Sequence, residues 1–127
     1  MNHARKEMHM RLSILLFGIY QVLWVASKVN TRFKAFIRKA RVRLMIKTAD
    51  GRHARLFVFD RGKLSTATGP DHAFDAALVW QDPGTAVSVM LKRSQEAVFY
   101  AAAGGKLKVE GMSVYALWFD EAVKQAM

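Results

Sequence analysis

The segment GGKLKVEG, Gly104 to Gly111, alternates charged and apolar residues between glycines at both ends. The alternating positions are Lys106, Leu107, Lys108, Val109 and Glu110. A period of two residues is typical of a half-buried β-strand, with one apolar face and one solvated face. We therefore predict a strand here, with one helix ending at the glycine pair before it and another beginning after Gly111.

The glycines of this segment do not form a phosphate-binding loop. Such a loop needs a glycine five positions before the glycine of Gly-Lys, and a serine or threonine after the lysine. Tyr100 and Leu107 occupy those two positions. The second Gly-Lys pair, at Gly62, fails as well, because Phe57 precedes it and Leu64 follows it. Neither pair indicates nucleotide binding.

The composition is that of one globular domain without thiol chemistry. The chain has 127 residues, 52% of them hydrophobic, which is enough for a single core. It has no cysteine, which excludes disulfides, thiol catalysis and thiolate metal sites. Its four histidines are scattered, and no two lie four residues apart. We expect no metal site and no cofactor.

The positive charge is concentrated in the N-terminal third. Residues 1–47 hold eleven basic residues and one acidic residue, whereas residues 48–127 hold nine of each. The net charge of +10 therefore belongs entirely to the first segment. This asymmetry indicates an anionic partner, either a nucleic acid or a membrane surface.

An uncharged run, LSILLFGIYQVLWVAS from Leu12 to Ser27, lies inside the basic segment. Its sixteen residues would span about 24 Å as a helix, short of the roughly 30 Å hydrocarbon core of a bilayer. The run also fits a secretory signal with Val25-Ala26-Ser27 as its cleavage site, but helical periodicity continues beyond Ser27. Because no proline interrupts residues 1–69, we predict one helix from about Arg11 to Ala40.

The predicted helix has two apolar faces. The first face holds Leu12, Leu16, Ile19, Leu23 and Ala26, and the second holds Phe17, Tyr20 and Trp24. One face can pack on a core, and the other needs a membrane, a partner chain or another part of the fold. Aromatic residues beside lysine and arginine suit a headgroup interface, so we expect an anionic membrane rather than a nucleic acid. The alternative is a homodimer through this helix. The expected membrane contacts are Arg11, Phe17, Tyr20, Trp24, Lys28, Arg32, Lys34 and Arg38.

Beyond Ala40 the apolar period changes from helical to alternating. The predicted strands are 41–48, 54–60, 63–69, 73–80 and 106–110, separated at first by turns at Asp50-Gly51 and Arg61-Gly62. Asp82-Pro83 and Ser94 are typical helix starts. In the fourth strand one side is predicted to hold Phe74, Ala76, Leu78 and Trp80. In the last helix, 112–126, one stripe is predicted to hold Val114, Leu117, Trp118 and Ala122.

This order of elements resembles a sterol-carrier-protein-2-like lipid-binding domain over about residues 30–127. The resemblance rests on the Asp50-Gly51 turn, the Arg61-Gly62 hairpin, the strand Phe74–Trp80 that leads to Asp82, and the Gly-Lys-Leu-Lys-Val-Glu-Gly strand from Gly105 to Gly111 before an apolar helix. It implies an α+β fold, a five-stranded, largely antiparallel sheet covered by helices. We therefore divide the chain into a basic N-terminal helix, 1–40, and a lipid-binding domain, 41–127.

The resemblance also implies an apolar tunnel for a fatty-acyl chain, a sterol or another lipid. The expected lining side chains are Phe74, Leu78, Trp80, Met90, Leu91, Phe99, Leu107, Val109, Tyr115, Trp118 and Ala122. The expected function is non-catalytic binding or transfer of a single-chain lipid, by a cytoplasmic protein attached peripherally to a membrane. The alternative is an accessory protein that holds a lipid or isoprenoid-quinone intermediate, as in ubiquinone biosynthesis. No enzyme is expected, because no nucleophile accompanies His72 and its acidic neighbours.

Overall fold

A computed structural model describes residues 2–92 and 94–126, with side chains described for 10–92, 94 and 96–126. The elements in chain order are α1 (Asn2–Val29), α2 (Thr31–Ile37), β1 (Arg41–Thr48), β2 (Ala54–Asp60), β3 (Lys63–Thr68), β4 (Ala76–Trp80), α3 (Pro83–Lys92), α4 (Gln95–Ala103), β5 (Leu107–Gly111) and α5 (Ser113–Ala126). The predicted α+β class and the predicted strand between two helices at β5 are confirmed.

The five strands form one mixed sheet in the order β3-β2-β1-β4-β5. Strand β1 pairs antiparallel with β2 and parallel with β4, while β2–β3 and β4–β5 are antiparallel. The sheet is therefore largely antiparallel, as expected. Because β4 lies beside β1, β5 is an edge strand, which places the alternating segment Gly104–Gly111 at the rim of the sheet.

One face of the sheet, the inner face, is covered by helices. Val42, Leu44 and Ile46 of β1 are buried there, and register places Phe57 and Phe59 of β2 beside them. The same hydrophobic cluster includes the buried stripe of α1: Leu12, Leu16, Leu23 and Ala26. Segments 1–40 and 41–127 therefore share one core, in which α1 contacts α2, α3, α5 and β3.

The predicted single helix from Arg11 to Ala40 is wrong, because the helix is interrupted at Asn30. This residue has an extended backbone, and its side-chain oxygen accepts a hydrogen bond from the Phe33 amide at 3.0 Å. Its amide Nδ2 donates to the Gln125 carbonyl of α5 at 3.1 Å. Asparagine competes well for helix N-termini through such side-chain bonds. The hydrogen bond to α5 holds Asn30 at the start of α2, and α2 packs against α5.

Two apolar faces in the structure differ from the predicted ones. Strand β4 begins only at Ala76, and Phe74 before it packs with the small cluster on the outer face, away from Leu78 and Trp80. The carboxylate of Asp75 accepts a bond from the Arg43 amide at 2.8 Å, which fixes the chain just before the strand.

The face of α5 is also rotated from the prediction. Val114 and Leu117 are 57% and 65% exposed, whereas Phe119 and Ala122 are buried and Trp118 is half-buried. Side chains three and four positions apart share a helix face, so a stripe through Trp118 and Ala122 extends equally well through Phe119. In the structure Phe119 faces the phenylalanines of β2, and the ring centroids of Phe119 and Phe57 are 5.4 Å apart.

Candidate functional site

The inner face of the sheet is closed at one end of the β4–β5 pair and open at the other. Trp80 pairs with Leu107, and both are buried. Two residues along, Leu78 pairs with Val109 on the same face; Leu78 is half-buried and Val109 is 42% exposed. Because side chains alternate along a strand, Val109 points to the side that the helices cover. The exposure of Val109 therefore marks a gap in that cover at the edge strand.

In the sequence, exposed apolar side chains follow shortly after Val109, the residue at this gap. Met112 follows β5 directly, and Val114 and Leu117 lie on the outward side of α5. Helix α5 contacts β4 and β5, as well as β1, α1 and α2. Exposed apolar side chains near an opening in the core are common at binding sites.

An aromatic cluster fills the part of the inner face over β2, away from the edge strand β5. Trp118 stacks on Phe36 of α2 with ring centroids 5.4 Å apart and meets Phe59 of β2 edge-on at 4.8 Å. Phe119 meets Phe59 at 6.1 Å. These edge-to-face and stacked contacts hold α5 against the sheet at β2. The open edge at β5 and the packed region at β2 therefore lie at opposite ends of one apolar layer.

A cavity of about 760 Å³, widely open to solvent, lies between α3 and α4, beyond the end of β4. Its apolar lining is Val89, Ala97 and Ala101, of which Ala101 also belongs to the main hydrophobic cluster. Its polar lining includes Lys92, Lys106, Asp82, Glu96, Tyr100 and the hydroxyl residues Thr85, Ser88 and Ser94. The cavity is therefore amphipathic, with an apolar base that continues into the core.

Two helix caps shape this cavity. The Asp82 carboxylate accepts bonds from the Thr85 amide at 2.7 Å and from the Thr85 hydroxyl at 2.9 Å, at the start of α3. Ser94 accepts a bond from the Ala97 amide at 3.3 Å, at the start of α4. Both caps were predicted from the sequence, and they fix the two helix starts that border the cavity.

The structure brings together most, but not all, of the residues expected to line an apolar tunnel. Those in or beside the main hydrophobic cluster are Leu78, Trp80, Met90, Leu107, Tyr115, Trp118 and Ala122. Leu91 and Val109 are exposed apolar residues of α3 and β5. Phe74 lies at the outer face of the sheet. Phe99 is 66% exposed, opposite Ala97 and Ala101 on α4. Sequence reasoning missed the cavity between α3 and α4, for which the helix starts at Asp82 and Ser94 were the available signal.

The outward face of α1 carries a second apolar surface. Phe17 and Trp24 are exposed, and Lys28 lies with its Nζ 5.4 Å from the centre of the Trp24 ring. The same helix also exposes Met10, Ile14, Val22, Val25 and Val29, which the sequence analysis did not single out. The window Met10–Val29 is long and apolar enough to cross a membrane, and 22% of it is buried. Of the other expected membrane contacts, Tyr20 is half-buried, while Arg11, Arg32, Lys34 and Arg38 are exposed.

Acid–base and metal-binding groups are not assembled in the described part of the chain. The ring of His72 lies with Nε2 2.9 Å from the Thr68 carbonyl oxygen, and Asp75 is held by Arg43, so the two do not form a pair. Among the side chains described, those of residues 10–92, 94 and 96–126, no three histidine or acidic groups are placed so that they would hold a metal ion.

Many of the solved structures with a similar fold are sterol carrier protein 2 domains. The chain is similar to a structure described as "UbiJ-SCP2 Ubiquinone synthesis protein", with a TM-score of 0.67, 16% identity, and 90% and 92% of the two chains covered. It is also similar to sterol carrier protein domain 2 of Helicoverpa armigera (TM-score 0.61, 18% identity, 87% of each chain). For sterol carrier protein 2 like 2 from Aedes aegypti the TM-score is 0.60, with 18% identity and 89% and 96% covered.

These similarities define the fold of the chain. The chain has the sterol-carrier-protein-2-like α+β fold, and the similarity extends over almost the full length of these matched domains. No family model matches the sequence, and no curated protein matches it.

Proposed function

We propose that this protein binds and transfers a single-chain lipid without catalysis. The observation that carries the proposal is the exposure of Val109 on the inner face of the sheet, beside half-buried Leu78. An acyl chain lying in this gap would remove the exposed inner-face surface from water. Each methylene transferred to an apolar environment contributes about 0.8 kcal/mol, so burial of about ten methylenes would contribute about 8 kcal/mol before the cost of association is subtracted.

The proposed lipid contacts are those expected residues that border the inner face or the gap. They are Leu78, Trp80, Met90, Leu107, Val109, Tyr115, Trp118 and Ala122, while Leu91, which is 62% exposed on α3, is left out. Phe74 and Phe99 lie outside this region and are left out of the proposed site.

Displacement of a fluorescent fatty acid by unlabelled lipid tests the proposal. Val109→Gln places an amide in the gap and is expected to lower the affinity roughly tenfold, because apolar contact is lost and the amide is desolvated. Val98→Gln on α4 is the matched control, since Val98 is similarly exposed at 37% but is not on the sheet. Equal losses in the two variants, or no binding by the unmutated chain, would contradict the proposal.

The proposal includes peripheral attachment of α1 to an anionic membrane. The inner stripe of α1 is committed to the core, so a spanning helix would have to withdraw Leu12, Leu16 and Leu23 from it. Contact through the outward face, with Phe17 and Trp24 at headgroup depth, leaves that core intact. The exposed basic side chains of α2 add electrostatic attraction, at about 1 kcal/mol for each charge near the surface.

Vesicle co-sedimentation at low and high salt tests the attachment. Replacing Arg32 and Lys34 with glutamine is expected to weaken binding to anionic vesicles roughly 30-fold at low salt. Replacing Lys63 and Lys108, which are exposed on strands β3 and β5, removes the same charge elsewhere and should change binding little. Equal effects of the two double variants would contradict an oriented contact. A chain that dimerises and ignores vesicles would favour the homodimer through α1.

The second candidate function is to hold a lipid or isoprenoid-quinone intermediate for membrane-associated biosynthetic enzymes. It is supported by the similarity to the structure described as a ubiquinone synthesis protein, which extends over 90% of this chain. Mass spectrometry of lipid extracted from the purified protein separates the two functions. Polyprenylated aromatic molecules would favour the second, and fatty acids or phospholipids the first.

A further inference from the structure

The indole nitrogen of Trp80 is a buried hydrogen-bond donor without a partner. Trp80 is 1% exposed, and the described residues place no acceptor within hydrogen-bonding distance of its Nε1. A donor left unsatisfied in the interior costs about 1–3 kcal/mol, and buried tryptophan usually finds a partner for its N–H. The proposed lipid site therefore contains one polar group that a purely hydrocarbon ligand would leave unsatisfied.

The cavity between α3 and α4 adjoins the end of β4 that carries Trp80. The amide of Gln81 donates to the Lys106 carbonyl at 2.8 Å, and the amide of Lys106 donates to the Ala101 carbonyl at 2.8 Å. These bonds tie the end of β4 to two residues that line the cavity. Trp80 does not itself line the cavity, but it pairs with Leu107, the residue after Lys106, and belongs with Ala101 to the main hydrophobic cluster, so the indole lies in the part of the core next to the cavity.

The charged residues described around this cavity include as many acidic as basic side chains. Its described lining residues include two lysines, Lys92 and Lys106, and two carboxylates, Asp82 and Glu96. A free carboxylate would gain little net attraction here, and burying it beside Trp80 would cost far more than burying a neutral oxygen. A hydroxyl, ketone or ester oxygen accepts a hydrogen bond from an indole N–H without that cost.

We propose that Trp80 selects lipids whose polar end is a neutral, oxygen-bearing group. The lipid end enters over the base of the α3–α4 cavity, and its oxygen accepts a hydrogen bond from Trp80 Nε1. This inference rests on the proposed lipid binding and narrows its ligand class. It distinguishes a neutral alcohol, ketone or ester from a free fatty-acid anion of the same length.

Three probes with the same carbon number test the inference: dodecan-1-ol, dodecanoate and dodecane. The readout is the indole N–H resonances of the full chain, which contains three tryptophans. Trp24→Phe and Trp118→Phe assign two of these signals, so the signal of Trp80 is identified without altering Trp80. We expect dodecan-1-ol to move the Trp80 signal downfield, dodecane to bind without that shift, and dodecanoate to bind more weakly than the alcohol.

Variants measure the contribution of the donor and of the charge balance. Trp80→Phe is expected to weaken dodecan-1-ol binding about 2- to 10-fold while leaving dodecane within twofold, and Trp24→Phe should change neither. Glu96→Gln leaves an excess positive charge at the cavity and should improve dodecanoate binding a few-fold, whereas Glu121→Gln on α5 should not.

The outcomes separate this inference from the function on which it rests. If dodecan-1-ol binds without moving the Trp80 signal, or if dodecanoate binds more tightly than the alcohol, the inference is wrong while lipid binding stands. If none of the three probes binds, the lipid-binding proposal itself fails. Should Trp80→Phe fail to fold, the indole shift and the order of affinities in the unmutated chain decide the question.

Discussion

The glycine that ends β5 provides the sharpest test of how the edge strand is held. Gly111 has φ of +77°, and a Cβ built on it would lie 2.4 Å from the Asp75 carbonyl oxygen and 3.2 Å from the Ala76 Cα. Gly105, six residues earlier, has φ of +75° but would meet nothing within 4 Å. The two glycines share a backbone conformation and differ in the space around them.

The expected cost of alanine at each position follows from this difference. The left-handed conformation costs an alanine about 1–2 kcal/mol, so Gly105→Ala should lower the free energy of unfolding by about 1 kcal/mol. Gly111→Ala carries the same strain and must also push the Asp75–Ala76 backbone away. Overpacking of this kind adds about 1–3 kcal/mol, giving a total of about 2–5 kcal/mol.

Urea denaturation of the two variants and the unmutated chain measures both values. We expect the midpoint to fall in both variants, and further for Gly111→Ala, with the dependence on urea concentration unchanged. Because Gly111 pairs with Ala76 in the β4–β5 ladder, Gly111→Ala should also weaken binding of a fluorescent fatty acid at the edge. Equal destabilisation by the two alanines would refute the close approach of β5 to Asp75.

Substitutions at Trp118, Asp82 and Asp75 test other parts of the fold. Trp118→Ala should lower the free energy of unfolding by about 3 kcal/mol because contacts with Phe36 and Phe59 are lost; Trp118→Phe should retain most stability but change lipid affinity if the ring lines the site. Asp82→Ala removes the cap of α3 and should cost about 1 kcal/mol in thermal or urea unfolding. Asp75→Ala removes the acceptor of the Arg43 amide and should cost about 1 kcal/mol, whereas Asp71→Ala, exposed, should stay within about 0.5 kcal/mol.

Much of the fold was predictable because its signals are local. Alternating residues gave the positions of β1, β2, β3 and β5 to within a residue, and the Asp82-Pro83 and Ser94 caps gave the starts of α3 and α4. The resemblance to sterol carrier protein 2 domains added the sheet and its helical cover, which the similar solved structures confirm. The membrane and lipid contacts remain proposals.

The candidate site was predictable only in part, because the direction in which a side chain points depends on residues that are far away in the sequence. Leu78, Trp80 and Leu107 lie on one face of the β4–β5 pair, and the alternation within each strand predicts which of its residues share a face. Phe99 and Phe74 did not join them, although each is as apolar as the rest. A single sequence does not show which side of a short helix such as α4, or which side of the chain before β4, will meet the core.

What the sequence by itself determined is the five strands, the helix starts at Asp82 and Ser94, the concentration of positive charge before residue 48, and the two apolar faces of the N-terminal helix. Only the tertiary structure decided that Asn30 would end α1 by bonding to Gln125, that Phe119 rather than Leu117 would face the phenylalanines of β2, and that Trp80 would be buried with its N–H unpaired. The physical reason is the distance along the chain over which each kind of interaction acts. Backbone propensity, caps and periodicity act over a few residues, whereas burial is settled by contacts between segments far apart in the chain.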